Sequence, residues 1–335
     1  MHRAQGGFSA STAYRSRAVS GATSRFATRL LIFAAISVLS TPAIQAGQLQ
    51  GIVNFDASLS DTGNAFFLTG NPQAPNFQGR ASNGLLWIEH LANLIGIPTP
   101  VANLLGGKNY AVSGSNLGPS WPGMGGQIDT YLSEYTPDNS ELFILYGGSN
   151  DFNEGERDPT VTVGKLVDHI TTLANAGASE FMVANLAPLE HLPFPGLEGS
   201  QLQVEAAAFS QGHNALLATE LPLLETALGI EIFLVDQHRV FSDIIANPAT
   251  HGFVNGLDNA YDPVSGVVVP NPNEYLWWDY IHPTTAGHAA LAAEAFSVLQ
   301  SNQILVPEPS SAALVGTLLL TLFACTRRRR PRGTR

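Results

Sequence analysis

Leu142-Phe143-Ile144-Leu145-Tyr146-Gly147-Gly148-Ser149-Asn150-Asp151 is an apolar run of strand length that stops at two glycines and ends on polar side chains. Nothing in the run alternates polar with apolar, so it reads as a strand covered on both faces, as in a parallel sheet. Four more short runs have the same character, at residues 51–55, 109–112, 181–185 and 232–235. Apolar residues at helical spacing lie between and after them, Trp87, Leu91 and Leu94 in one case and Ala292, Phe296 and Leu299 in another. Strands alternating with helices predict an α/β fold, a doubly wound three-layer α/β/α sandwich around a parallel sheet. Ligands bind such sheets beyond the carboxyl ends of the strands, so chemistry is to be sought just after each run.

The chain has 335 residues, 13% of them charged, and a formal charge of −11. That average conceals three parts. Residues 1–46 hold five Arg and no acid, and residues 306–335 hold six Arg and only Glu308. The intervening 47–305 keeps five bases against 26 acids, a net charge of −21. Such a surface repels phosphate backbones, and the dispersed Arg80, Lys108, Arg157, Lys165 and Arg239 form no basic patch, so no nucleic acid is expected as a partner. The only cysteine, Cys325, lies in the tail, which excludes disulfides, zinc-thiolate sites and cysteine catalysis from 47–305. The histidines other than His282 form no metal-binding motif and read as surface or core residues.

Arg25 and Arg29 precede an apolar run from Leu30 to Leu39 and then small residues ending at Ala46, the layout of a signal peptide over 1–46. At the other end, Val306-Pro307-Glu308-Pro309 is followed by a short apolar stretch, 312–325, and by Arg327 to Arg330. This order resembles a PEP-CTERM sorting signal. The resemblance implies an exported envelope protein, transiently anchored by its C-terminus and processed by an exosortase-like membrane enzyme to a surface or secreted form. An ordinary tail anchor has the same topology. The expected organisation is signal peptide 1–46, one domain at 47–305, and sorting tail 306–335.

Four segments carry chemistry, three of them directly after apolar runs and the fourth near the C-terminal end of the domain. Asp56-Ala57-Ser58-Leu59-Ser60-Asp61-Thr62-Gly63-Asn64 sets a serine just beyond the first strand. Val112-Ser113-Gly114-Ser115 offers a glycine whose N–H a substrate oxygen can approach. Asn150 stands after the Gly147-Gly148 turn with an amide to aim at developing negative charge. In Trp278-Asp279-Tyr280-Ile281-His282-Pro283, a carboxylate three residues before an imidazole can fix its tautomer. Read singly, each is equally an ordinary turn, loop cap or solvated histidine.

Together the four resemble the GDSL, or SGNH, family of serine esterases and lipases, in the family's order. FDASLSDTGN, NYAVSG, GSND and DYIH stand where its blocks stand, and GRASNGLLWIEHLA from Gly79, VANLAPLEHLP from Val183 and FSDIIANPATHGFVN from Phe241 look like the subgroup of plant-type lipases and bacterial phospholipase or haemolysin-like members. The resemblance implies a flavodoxin-like SGNH fold, with Ser58 as nucleophile, His282 as general base and then acid, and Asp279 as its orienting partner. It also implies an oxyanion hole from Ser58 N–H, Gly114 and Asn150, an acyl-ester substrate, and no metal or organic cofactor. One position departs from the pattern: the family's Gly-Asp before the serine is Asp56-Ala57 here. In an extended segment Asp56 points to the opposite face, so it is not expected to substitute directly, and activity is expected to be reduced rather than lost. Substrate choice is expected from loops 65–80, 152–160, 187–200 and 243–276, and the apolar candidates for an acyl wall are Phe66, Phe67, Phe77, Phe152, Phe194 and Trp277. Two other readings stay open: an acetyl esterase acting on surface polysaccharide, and a non-catalytic envelope protein on the same fold.

Overall fold

Four of the five apolar runs become the parallel strands β1 (Gly51–Phe55), β2 (Glu141–Leu145), β3 (Glu180–Ala184) and β4 (Glu231–Val235), hydrogen-bonded in that order. The computed structural model describes residues 49–302 and 304. The expected signal peptide and the sorting tail, with its apolar stretch 312–325, lie outside the described residues. Among the described residues no helix is long and apolar enough to cross a membrane.

The helices are α1 (Asn64–Thr69), α2 (Trp87–Ile95), α3 (Met124–Glu134), α4 (Ser149–Asn153), α5 (Pro159–Asn175), α6 (Gln201–Leu228), α7 (Gln237–Ala246) and α8 (Thr285–Ser301). The period of two along each strand divides its side chains between two cores. Ile52, Leu142, Ile144, Met182 and Phe233 pack under α2, α7 and α8, while Val53, Phe55, Phe143, Leu145 and Phe181 pack under α3, α5 and α6. This is the three-layer sandwich expected from the strand pattern. Each wholly buried Leu, Ile or Phe contributes roughly 1.5–3 kcal/mol, so both layers clamp the sheet and hold its carboxyl end fixed.

Two details differ from the sequence reading. Residues 109–112 are not a regular strand; they follow the edge of β1 through an Asn54–Asn109 bridge and the bond from Tyr110 N–H to Asn54 O, 2.8 Å. The Asn109 side chain explains the irregularity, because its Oδ1 accepts the N–H of Ala111 at 3.2 Å, a local bond that competes with a ladder. In α2 the buried face is Trp87, Ile88, Leu91 and Ala92, and Leu94 is 47% exposed. At 100° per residue Leu94 falls about a quarter turn from the middle of that face.

Gly126 in α3 shows how closely the flanking layer is packed. A Cβ there would lie 2.2 Å from the backbone nitrogen of Trp121. Gly to Ala inside a helix ordinarily stabilises by about 0.5–1 kcal/mol, but this overlap reverses the sign. Gly126→Ala is expected to cost about 1–3 kcal/mol, read as a lower urea midpoint. A raised midpoint would contradict the packing.

A separate two-stranded sheet of β5 (Asn255–Asn259) and β6 (Tyr275–Trp277) leads into the loop that carries Asp279 and His282. Trp277, buried, anchors it by donating Nε1–H to Gly256 O at 3.0 Å. The loop closes on itself through Trp278 N–H to His282 O, 2.7 Å, and Thr284 N–H to Leu276 O, 2.9 Å.

Candidate active site

From Ile52 to Ala65 every residue is buried except Ser58. The turn after β1 therefore offers one side chain to a ligand. Its backbone is held by Gln127 of α3, whose amide accepts Asp56 N–H at 3.1 Å and donates to Asp56 O at 2.9 Å. Asp56 does not point away from the turn, contrary to the extended-strand expectation. The chain bends immediately after β1, and the Asp56 carboxyl group accepts both Ala57 N–H and Ser60 Oγ–H. Ser60 Oγ in turn accepts Trp87 Nε1–H at 2.9 Å. Burial pushes the Asp56 carboxyl up to about 7, against the opposing pull of the Ser60 and Ala57 hydrogen bonds.

Asp61 ties this turn to the Gly114 loop. Its carboxylate accepts the N–H groups of Gly63 (2.9 Å), Asn64 (2.6 Å) and Ala65 (3.0 Å), and both the N–H (2.8 Å) and the hydroxyl (3.1 Å) of Ser113. Asn64 donates to Asn109 O and Ala111 O, while Asn109 donates to Ser60 O and Thr62 Oγ1. Gly114 itself has φ +87° with open space where a Cβ would stand, so only glycine leaves its N–H side bare without strain. On its far side, Asn150 Nδ2 donates to Ser115 O at 2.8 Å and Asp151 accepts Leu117 N–H at 3.0 Å. The loop is thus fastened to both neighbouring turns.

The histidine loop is organised by Asp279. Its carboxylate accepts the N–H groups of Ile281 (2.9 Å) and His282 (2.8 Å), and His282 Nδ1 lies 2.8 Å from Oδ2. Burial by itself would raise this carboxyl, but the His282 charge and these hydrogen bonds prevail and hold it below the usual carboxylate range. Asp279 therefore remains ionised at neutral pH, which fixes the proton of a neutral imidazole on Nδ1 and leaves Nε2 as the acceptor.

Ser58, Asn150 and His282 line one cavity of about 440 Å³. Its wall is mostly apolar, including Phe152, Leu189, Leu192, Phe194, Leu197 and Trp277. Gly114 is not part of that wall; it sits on the loop just described. Ser58 and His282 share the cavity without a direct hydrogen bond among the described residues, a contact that commonly tightens only around substrate. Of the six aromatic candidates, Phe152, Phe194 and Trp277 line the cavity. Phe66 and Phe67 do not; they are 44% and 60% exposed on α1. Phe77 instead lies under Arg80, 5.5 Å from its ring centre. The wall comes from 152–157 and 187–206 together with the strand ends, and loops 65–80 and 243–276 contribute none of it.

A family model described as GDSL-like Lipase/Acylhydrolase matches residues 52–295. The chain belongs to this family. Membership sets it among ester-hydrolysing enzymes. It is 29% identical over 278 residues to the thermolabile hemolysin of Vibrio parahaemolyticus, a match covering 75% of this chain and 64% of that one. It is 27% identical over 312 residues to the phosphatidylcholine-sterol acyltransferase of Aeromonas hydrophila, covering 75% and 90%. A carbohydrate acetylesterase from Sinorhizobium meliloti, Est24, aligns in structure over 75% of this chain and 99% of its own, at 17% identity and a TM-score of 0.42.

Within this GDSL protein several site residues escaped the motif reading. Asp61, Asn64 and Asn109 are buried polar groups that join the turns, and Gln127 holds the serine turn from a helix 71 residues later. Their signal was faint, because Asp and Asn in turns read first as caps. Gln237, at the start of α7 after β4, lines the cavity with both amide atoms unpartnered among the described residues. Only its place after a strand end could have drawn attention to it.

Proposed function

We propose that this chain is an exported serine hydrolase that cleaves acyl esters through an acyl-enzyme on Ser58. One observation carries the reading: Ser58 and His282 arrive from opposite ends of the domain on the same apolar cavity, with His282 Nδ1 already held by Asp279. Ser58 Oγ attacks the ester carbonyl as His282 Nε2 takes its proton, and ionised Asp279 stabilises the imidazolium. The tetrahedral oxyanion receives hydrogen bonds from the N–H groups of Ser58 and Gly114 and from the second Nδ2 hydrogen of Asn150, the first being engaged by Ser115 O. His282 then gives its proton to the leaving alkoxide, which departs as the alcohol. Water, deprotonated by His282, attacks the acyl carbon and frees the carboxylic acid, restoring Ser58.

The apolar wall favours an acyl chain over an acetyl group, and so an esterase or lipase over a polysaccharide deacetylase. With p-nitrophenyl esters, kcat/KM is expected to rise at least tenfold from acetate to chains of about eight carbons, since burying only two of the added methylenes at about 0.8 kcal/mol each contributes about 1.6 kcal/mol. Acetate preference would support the acetyl esterase; a folded protein without turnover would support the binding protein. Phe194→Ala is expected to lower kcat/KM for the long ester about tenfold while leaving the acetate within twofold, because Phe194 belongs to the apolar wall of the cavity. Equal losses on both esters would remove Phe194 from the acyl wall.

Export, transient anchoring and trimming by an exosortase-like enzyme rest on the sequence of 1–46 and 306–335. The intact mass of the protein recovered from its native envelope tests them. Loss of both segments is the expected result, and an untrimmed chain would overturn it.

A further inference from the structure

We propose that Asp56 is a positioning residue for Ser58, its carboxyl group gripping the chain on both sides of the serine so that one conformation of the turn faces the cavity. The inference rests on the serine hydrolase reading of the site. Asp56 is 1% exposed, and its two oxygens take Ala57 N–H immediately before Ser58 and Ser60 Oγ–H two residues after it. Trp87 Nε1–H, donated to Ser60 Oγ at 2.9 Å, aims the Ser60 hydroxyl proton toward Asp56. Gln127 fixes the Asp56 backbone through both its N–H and its C=O, so the carboxyl group has a rigid base. Ala57, in the place before the serine where a GDSL chain has its carboxylate, has only a methyl group to offer. The carboxylate has moved one residue back, and the bend after β1 returns it to the turn.

An acceptor-only group suits this site. An amide at 56 would still accept Ala57 N–H, but its NH₂ would face Ser60 Oγ, which already receives the Trp87 proton, and the Ser60 hydroxyl proton would lose its acceptor. The charged and titratable neighbours of Asp56 are Asp61 in its own turn and Tyr146 just past β2; Gln127 and Trp87 are neutral. Burial, then the Asp56 charge, raises the Tyr146 hydroxyl far above the working range, and Asp61 is held by five donors. The Asp56 carboxyl, lying at about 7, changes its charge near neutrality two residues from Ser58. Its carboxylate form, present above that pH, is the one that grips the turn. Below it the carboxyl gains a proton and the grip on Ser60 weakens.

The test compares the full chain with Asp56→Asn on a p-nitrophenyl ester across pH 5.5–9, with thermal midpoints measured at each pH. The expected result at pH 8 is a kcat about 10–100-fold lower with KM within twofold and the midpoint not lowered, as for loss of an aligning contact. The acid limb of log kcat is expected to be steeper in the wild type than in Asp56→Asn, which lacks the Asp56 ionisation. A kcat within twofold at pH 8, an unchanged acid limb, or a loss matched by a fallen midpoint would each overturn the proposal. If Ser58→Ala also retained turnover, the hydrolase reading itself would be at fault; if Ser58→Ala were dead while Asp56→Asn behaved as wild type, only the positioning role would fall.

Discussion

Ser58→Ala is expected to lower kcat on a p-nitrophenyl ester on the order of 10⁴-fold or more while leaving the thermal midpoint almost unchanged. The two halves of that expectation have separate causes. Ser58 is the one accessible residue in an otherwise buried stretch, and among the described residues its hydroxyl holds no other group in place. Its removal therefore costs little stability, within about 0.5 kcal/mol. The turn, the Asp61 clamp and the Asn150 loop all stay, so residual hydrolysis reports what oxyanion stabilisation and binding supply without a nucleophile. Turnover above a tenth of wild type would place the nucleophile elsewhere.

Asp279→Asn is expected to approach the same loss, about 10⁴-fold in kcat, with the loop intact. Asparagine keeps an oxygen for the N–H groups of Ile281 and His282, which Asp279 now accepts at 2.9 and 2.8 Å. Its NH₂, however, meets His282 Nδ1 and forces that nitrogen to accept. The imidazole proton then moves to Nε2, which can no longer take a proton from Ser58. The defect is in the tautomer, so KM should hold while kcat collapses. Stability at low pH provides a second readout. The Asp279 carboxyl is more acidic in the folded chain than its ordinary 3.8, so its stabilisation is present above that pH and is lost as the pH falls through the lower folded value. Asp279→Asn should remove that component of the acid sensitivity. Wild-type kcat in Asp279→Asn would show that the carboxylate serves only as a loop cap.

The sheet was legible because burial on both faces writes an unbroken apolar run, as in 142–146, and β2 ends at Leu145, one residue before the run does. The same logic led to Ser58 and Asn150, each standing just after a strand, while His282 was marked by the carboxylate three residues before it. Legibility failed where a polar side chain overruled the backbone pattern. Asn109 took its own neighbour's N–H and left 109–112 irregular, and a bend after β1 returned Asp56 to the turn. Period-two reasoning assumes an extended chain and fails at the residue where the chain stops being extended. The acyl wall was half legible for a related reason. Phe152 and Phe194 were visible as aromatics in loops after strands, but Leu189, Leu192 and Leu197 resemble any buried leucine until the chain returns over the sheet.

The most direct test of the central claim is labelling of the purified protein with a fluorophosphonate, followed by intact mass and peptide mapping. One adduct per chain on Ser58, with hydrolysis lost in proportion to labelling and no adduct in Ser58→Ala, is the expected result. A folded, hydrolytically active protein that is unlabelled, or labelled at another serine, would contradict the assignment of Ser58 as the nucleophile.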